Sequence, residues 1–194
     1  MGQFIFMPSL PKALKKVPFT YGQAKKAGLT QADLRQFQKS GMIEQVYRGV
    51  YRLTSRDFSE EDQFRSATLV VGLPSAICLV SALSQWGVTD VIPKKTWILV
   101  PHEKKSLVED LKLVRSRNPS WNIGIESREG YCITSIERTI VEAIYFRNKI
   151  GTSVAVNALR NAVNSKKTSL SKILSIAKKL GVLHKILPYI EALS

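Results

Sequence analysis

Within nine residues, Gln31, Arg35, Gln36, Gln38 and Lys39 gather groups that hydrogen-bond directionally, and Arg48 and Arg52 follow shortly after. An arginine presents a fixed fork of donors that matches the paired acceptors of guanine. Glutamine both donates and accepts, as an adenine edge requires. Thr30, just ahead of them, sets a hydroxyl beside the free N–H groups of a helix start, a combination suited to gripping a phosphate. These types and spacings support recognition of duplex DNA, with Thr30, Gln31, Arg35, Gln36, Gln38, Lys39, Arg48 and Arg52 as candidate contacts. The competing reading is a solvated outer face on a small module that docks proteins.

Such groups act together only if the chain holds them on one edge, and residues 19–53 carry the signals for that. Thr20 is a good N-cap for a first helix whose inner face carries Ala24 and Ala27; Gly28 ends it and Leu29 anchors the turn. Thr30 caps a second helix, with Leu34 and Phe37 inward and the polar set outward. Gly41 stops that helix. Ile43, Val46, Val50, Tyr51 and Leu53 then form two β-rich arms around Arg48-Gly49, a two-residue hairpin. With a short helix over residues 8–16, the expectation is a winged helix-turn-helix. Arg48 stands at the wing tip, flanked by Tyr47 and Arg52, against a minor groove or phosphates. A purely structural turn is the alternative.

Charge agrees with a polyanionic partner. The 194 residues carry a formal net charge of +14, while 44% of them are hydrophobic, so the charge does not reflect a disordered chain. Residues 1–56 contribute +8 and residues 57–194 contribute +6. Between Glu142 and Glu191 no acid occurs, yet the stretch holds Arg147, Lys149, Arg160, Lys166, Lys167, Lys172, Lys178, Lys179 and Lys185. Soluble helices ordinarily interleave both signs. This second basic surface is therefore expected either to be a solvated face or to hold flanking DNA, RNA or an acidic partner.

Enzymatic signals are weak. His102 and His184 have no neighbours at metal-ligand spacing, and neither a phosphate-binding glycine loop nor a nucleophile motif is present. Asp90, Glu103 and Lys105 follow the order of metal-dependent nucleases, but Glu103 sits after Pro101, where a solvated turn is the easier reading. No catalytic residue, cofactor or metal ligand is assigned. Cys78 and Cys132 lie in apolar surroundings without a C-x-x-C pattern and read as reduced, buried thiols of a cytoplasmic protein. The N-terminus lacks the pattern of a signal peptide. The uncharged stretch from Ser66 to Thr89 is divided at Pro74-Ser75 into pieces too short to span a bilayer, so no membrane partner is expected.

The expected fold class is α+β: a winged helix-turn-helix over residues 1–56, then a mixed α/β domain over 57–194 ending in a helical bundle. Helices are expected over about 60–72, capped by Ser59, and over about 75–86, capped by Ser75 and closed by Gly87. Strands are expected over Thr96–Val100, Trp121–Glu126 and Gly130–Ile133. Thr134 with Glu137 reads as a capping box for a helix that Gly151 breaks. Two or three further helices, at about 153–164, 169–180 and 183–193, are expected to close the chain.

Several segments in this order are similar to the AbiEi-type antitoxins, the transcription-repressing partners of type IV toxin–antitoxin (abortive infection) systems. They are residues 19–53 with Arg48-Gly49-Val50-Tyr51, the run Ser81 to Asp90 followed by Ile92-Pro93, and the run Thr134 to Val141. Tyr145 to Gly151, Ala158-Leu159-Arg160 and Pro188 to Leu193 extend the likeness to nearly the full chain. The resemblance implies a bacterial protein encoded beside a nucleotidyltransferase-like toxin. Its winged helix would bind inverted repeats in its own promoter, as a monomer in solution that is cooperative on DNA. Its C-terminal domain would carry the antitoxic activity without a stable toxin complex. Glu142 preserves an acid of the family pattern, whereas Asn157 replaces one, which makes the C-terminal surface more basic than the family implies. The alternatives are a winged-helix transcription regulator without a toxin partner, or a metal-dependent nuclease.

Overall fold

Two threonines, ten residues apart, set the geometry of the first part of the chain. Thr20 caps α2 (Tyr21–Lys26) and Thr30 caps α3 (Gln31–Lys39), each through a reciprocal capping box. Such boxes satisfy N–H groups that a helix start leaves unpaired, and they fix both entry points within a few residues. The computed structural model describes residues 9–105 and 108–192. It divides into two compact units, one ending at Leu73 and the other beginning at Pro74.

In the first unit α1 (Lys12–Lys16) precedes β1 (Phe19–Thr20), α2 and α3, followed by the hairpin β2 (Ile43–Tyr47) and β3 (Val50–Leu53). The helix expected from residue 8 begins at Lys12, and residue 8 lies outside the described residues. Leu10, Leu14, Phe19, Ala24, Leu29, Leu34, Phe37 and Ile43 form one buried cluster. Ala27 is exposed, so the inner face of α2 rests on Ala24 alone. The two-residue strand β1 was not foreseen. It pairs antiparallel with β3, giving a three-stranded sheet in the order β1-β3-β2.

The helix α4 (Glu60–Val71) begins where Ser59 accepts from the Asp62 amide. It packs on β1, β2 and β3 and belongs to the first unit rather than opening the second. The division thus falls after Leu73, beyond the boundary expected at residue 56. The reason is electrostatic as well as apolar. Arg56 reaches Asp62 at 2.5 Å, so the segment after the hairpin is tied to the helix that follows it.

The second unit is built on a five-stranded mixed sheet in the order β6-β5-β4-β8-β7. Its strands are β4 (Ala76–Ile77), β5 (Thr96–Pro101), β6 (Leu111–Ser116), β7 (Ile125–Arg128) and β8 (Tyr131–Thr134). Strand β5 lies parallel to β6 and antiparallel to β4, β4 is parallel to β8, and β7 and β8 form a hairpin. Helix α5 (Leu79–Gln85) starts later than expected, because Ala76 and Ile77 belong to the sheet; Ser75 is buried and caps nothing. The expected strand over Trp121–Glu126 is mostly turn, and β7 begins only at Ile125.

Helices α6 (Ile136–Tyr145), α7 (Arg147–Ile150), α8 (Thr152–Asn164), α9 (Leu170–Lys179) and α10 (Leu183–Glu191) complete the unit. Ile140, Ile144, Ala155, Leu159, Ile173, Ala177 and Ile186 share one fully buried cluster. Ser135, not Thr134, caps α6, and Glu137 turns outward to accept from Thr168 at 2.7 Å. Residue 193, the expected end of the last helix, lies outside the described residues. The protein is thus α+β with two sheets. Among the described residues no helix is long and apolar enough to cross a membrane.

Candidate nucleic-acid interface

Helix α3 exposes one face and buries the other. Leu34 and Phe37 are enclosed, while Gln31, Arg35 and Lys39, spaced four apart, stand exposed along a single stripe with Ala32 beside them. Gln36 and Gln38 flank that stripe half-buried. A stripe of amide, guanidinium and ammonium groups separated by one turn each, with a methyl between, can read base edges while its ends meet phosphates.

The start of α3 does something other than expected. The Asp33 amide donates to the Thr30 hydroxyl at 3.2 Å, and both the Thr30 amide and hydroxyl donate to the Asp33 carboxylate at 2.7 Å. These bonds, from the backbone first and then the side chain, hold the Asp33 carboxyl below its ordinary value. The terminus is therefore occupied by a carboxylate. Thr30 orients α3 and is not free to grip a phosphate.

The hairpin places Arg48 at an exposed tip. Tyr47 pairs with Val50 across the two-residue turn, and Gly49 takes a φ of +78°, a conformation that costs a side-chain-bearing residue dearly. A register shift between Gln45 and Tyr47 adds local twist next to the turn. The Gly49 carbonyl accepts from the Tyr21 amide at 3.4 Å, so the turn that carries Arg48 is bonded to the first residue of α2.

Arg52, by contrast, is committed within the unit. Its Nε donates to Glu44 at 2.5 Å, directly across the hairpin, and its guanidinium donates to the Arg56 carbonyl at 2.6 Å. The same group stacks 4.8 Å from the Phe58 ring centre. It is a strut between the wing and the segment leading to α4, and it leaves the set of candidate contacts. Lys25 and Lys26, exposed in the last turn of α2 just before the inter-helix turn, were not singled out from the sequence. The adjacent pair ahead of Gly28 was the available signal.

Asp62 anchors this strutwork. Burial raises its carboxyl, but the hydrogen bond and charge of Arg56, with the bonds from Arg65 and the backbone, outweigh burial and leave it below its ordinary value.

The second basic region does not form one uniform surface. Lys167 donates to the carbonyls of Trp86 at 2.6 Å and Gly87 at 3.1 Å, closing the end of α5. Arg147 bonds the Ile144 carbonyl and lies over Tyr189, and Lys149 lies over Phe146. Arg160, Lys166, Lys172, Lys178 and Lys179 remain exposed along α8, α9 and the turn between them. Asp90, Glu103 and Lys105 are all exposed in loops, and among the described residues no group of three or more His, Cys, Asp or Glu stands together to hold a metal. Cys78 is fully buried and its thiol is pushed well above its ordinary value, first by burial and then by Glu142. Cys132 is only half-buried, so one of the two expected buried thiols is not.

In the second unit, residues of two segments that carried the family resemblance hold the fold together. The Ser81 hydroxyl accepts from the Trp97 amide at 2.9 Å, and the Trp86 indole donates to the Thr134 carbonyl at 3.0 Å. Arg138 is buried, with Nε donating to Glu142 at 2.9 Å and a terminal nitrogen donating to the Trp121 and Ile123 carbonyls. Those carbonyls therefore go to a side chain rather than to a sheet neighbour, which explains the turn where a strand was expected.

Residues 12–54 match the family model described as "Transcriptional regulator, AbiEi antitoxin". The matched stretch runs from α1 to just past β3 and includes all of α3 and the wing, so the likeness read from the sequence holds there. The helix pair followed by a hairpin is consistent with a winged helix-turn-helix. No curated protein matches the chain. The fold is similar to that of a solved structure titled "Crystal structure of RV2827C protein from Mycobacterium tuberculosis", with a TM-score of 0.59 and 15% identity. That similarity covers 87% of this chain and 72% of the other.

Proposed function

We propose that this chain is an autorepressing antitoxin. Its first unit binds inverted repeats in its own promoter, and its second unit counteracts a nucleotidyltransferase-like toxin encoded beside it. The stripe of Gln31, Arg35 and Lys39 lies in the major groove, with Gln36 and Gln38 at its margins. Arg48 meets a neighbouring minor groove or phosphates, and Lys25 and Lys26 add phosphate contacts. No metal or cofactor takes part.

The observation that carries this reading is the α3 face itself. One side of the helix is sealed into the core, the other presents donors at one-turn spacing, and a turn bonded to the same helix pair lifts a further arginine into solvent. The family match over residues 12–54 supports the regulatory role. The exposed cations of α8 and α9 are the natural place for a second contact with flanking DNA, but the reading does not depend on them.

Fluorescence anisotropy of the full chain on its promoter fragment and on a random duplex tests the proposal. Binding should favour the promoter, and Arg35→Ala should cost about 1–3 kcal/mol there while hardly changing the random duplex. Equal affinity of the unaltered protein for both duplexes would reject operator recognition. For the antitoxic half, co-expression with the adjacent gene should restore growth with the full chain; continued growth arrest would reject it.

A further inference from the structure

The outer side of α2 has a composition that the fold does not demand. Ala24 faces the core, and Tyr21, Gly22, Lys25 and Lys26 all stand exposed. Residues four apart share a row on a helix, so Tyr21 lines up with Lys25 and Gly22 with Lys26. The face presents a phenol and two ammonium groups around a bare stretch of backbone, with no acid among them.

Gly22 is the informative member. A glycine within a helix is less favourable than an alanine, because it has more backbone freedom to lose. Unlike Gly28 and Gly49, Gly22 has no positive φ to adopt. A Cβ placed on it would meet the Thr20 hydroxyl oxygen at 3.7 Å, an ordinary contact. Neither backbone conformation nor packing within the unit calls for glycine there. Close approach of another backbone from outside does call for it, since a side chain would stand in the way.

Tyr21 supplies the chemistry. It is 36% exposed, and its amide donates to the Gly49 carbonyl at 3.4 Å, which sets the residue beside the turn that carries Arg48. Its hydroxyl has no partner among the described residues. The Gln23 amide is taken by the Thr20 hydroxyl at 3.2 Å. With these amides spent inside the unit, the end of this short helix is no anion site, and contact must come from the side chains of its flank. A phenol donates one hydrogen bond and an ammonium group three, and a phosphate oxygen accepts from both. Tyr21 and Lys25 lie about 6 Å apart along the axis, so one strand of phosphodiester backbone can meet them together.

Granted the promoter-binding reading, on which this contact rests, we propose that a phosphodiester of the duplex seats over Gly22. The Tyr21 hydroxyl holds it on the side toward the wing, and Lys25 and Lys26 hold it on the other. The seat reads no bases. It sets how closely the helix pair approaches the duplex, and so positions the α3 stripe against the groove.

Anisotropy titrations of full-length Gly22→Ala and Tyr21→Phe, on the promoter fragment and on a random duplex, provide the test beside thermal melts of both variants. Gly22→Ala should weaken binding to both duplexes by about tenfold, because the added methyl stands where the phosphate seats. Its melting temperature should hold or rise by about 1–4 °C. Tyr21→Phe should also weaken both duplexes by about tenfold, with an unchanged salt slope, since a phenol releases no counterion. Undiminished binding by either variant overturns the seat. So does a Gly22→Ala protein that melts lower, which makes glycine a demand of the fold, or a loss confined to the promoter, which makes the contact one to bases. If the unaltered chain binds neither duplex, the promoter reading and the seat fall together. If it prefers the promoter, loses that preference on Arg35→Ala and is indifferent to both variants, the seat alone falls.

Discussion

The two units put the same side chain to opposite uses. In the first, Arg35 and Arg48 stand exposed on a helix and a turn whose other sides are sealed into a core. In the second, Arg138 is only 2% exposed and gives its donors to Glu142 and to the carbonyls of Trp121 and Ile123. An exposed guanidinium keeps its hydration and can exchange it for phosphate or a base edge; a buried one has already spent its donors on folding. Arg52 lies between these extremes, with a side chain 18% exposed and bonded to Glu44. Formal charge counts all of these residues alike, and only their partners tell which remain available to a ligand.

The sharpest way to break this contrast is Arg138→Ala. Removing it leaves Glu142 buried and unpaired and should cost about 3–5 kcal/mol of stability in the second unit. Arg138→Met combined with Glu142→Leu should recover most of that loss, since replacing a buried pair with apolar side chains is often neutral. Chemical denaturation of the three proteins reads both effects, and a mild single variant would mean that Arg138 is not the strut described.

A smaller effect is expected at Asp62. Asp62→Asn should lower stability at neutral pH by about 1–3 kcal/mol, because it weakens charged hydrogen bonds to Arg56 and Arg65. The sign with pH follows from the lowered carboxyl: its contribution is present above the ordinary Asp value and fades as pH falls through the lower folded value. Melting curves from neutral to acidic pH should therefore converge for the two proteins at the acid end. Parallel curves throughout would remove Asp62 from the linkage.

The smallest effect sharpens the first half of the contrast. Arg48→Ala should leave the melting temperature unchanged but reduce the slope of log affinity against log salt on duplex DNA by about 1, the signature of one lost phosphate contact. Arg52→Ala should behave the other way, destabilising the hairpin while altering the salt slope little. Should Arg52→Ala change the slope and Arg48→Ala not, the assignment of strut and contact is reversed.

The legible parts of the sequence were those set by near neighbours. Thr20 with Gln23 and Thr30 with Asp33 close capping boxes within three residues, and Gly49 supplies the positive φ of its turn unaided. Elements with distant partners were harder to see. Strand β6 alternates weakly and carries Lys112 and Arg115, so its apolar signal is slight; it is a strand because β5 pairs with it in parallel register. Ala76 and Ile77 sit in a continuous apolar run that reads as helix, yet they pair with Leu99 and Ile98 on one side and Ile133 on the other. Trp121 to Gly124 alternates like a strand and was claimed instead by Arg138.

The candidate contacts divide along the same line. Exposure of Gln31, Arg35 and Lys39 follows from a helical period with Leu34 and Phe37 on the far side, and the sequence alone was enough for that. Thr30 is committed to Asp33 within three residues, a local matter, whereas the removal of Arg52 required knowing that Glu44 comes within hydrogen-bond reach across the hairpin. The even-looking basic run after Glu142 likewise resolved into a helix-closing Lys167, ring-stacked Arg147 and Lys149, and exposed lysines only when the helices were packed.

By itself, then, the sequence determined the helix pair, the hairpin and the outward stripe of donors, because caps, turns and periodicity act over a few residues and need no distant partner. Tertiary structure decided which cations are free, where the first unit ends, and that Arg138 lies buried against Glu142. Those outcomes depend on desolvation and on contacts between residues far apart in the chain, which no local pattern encodes.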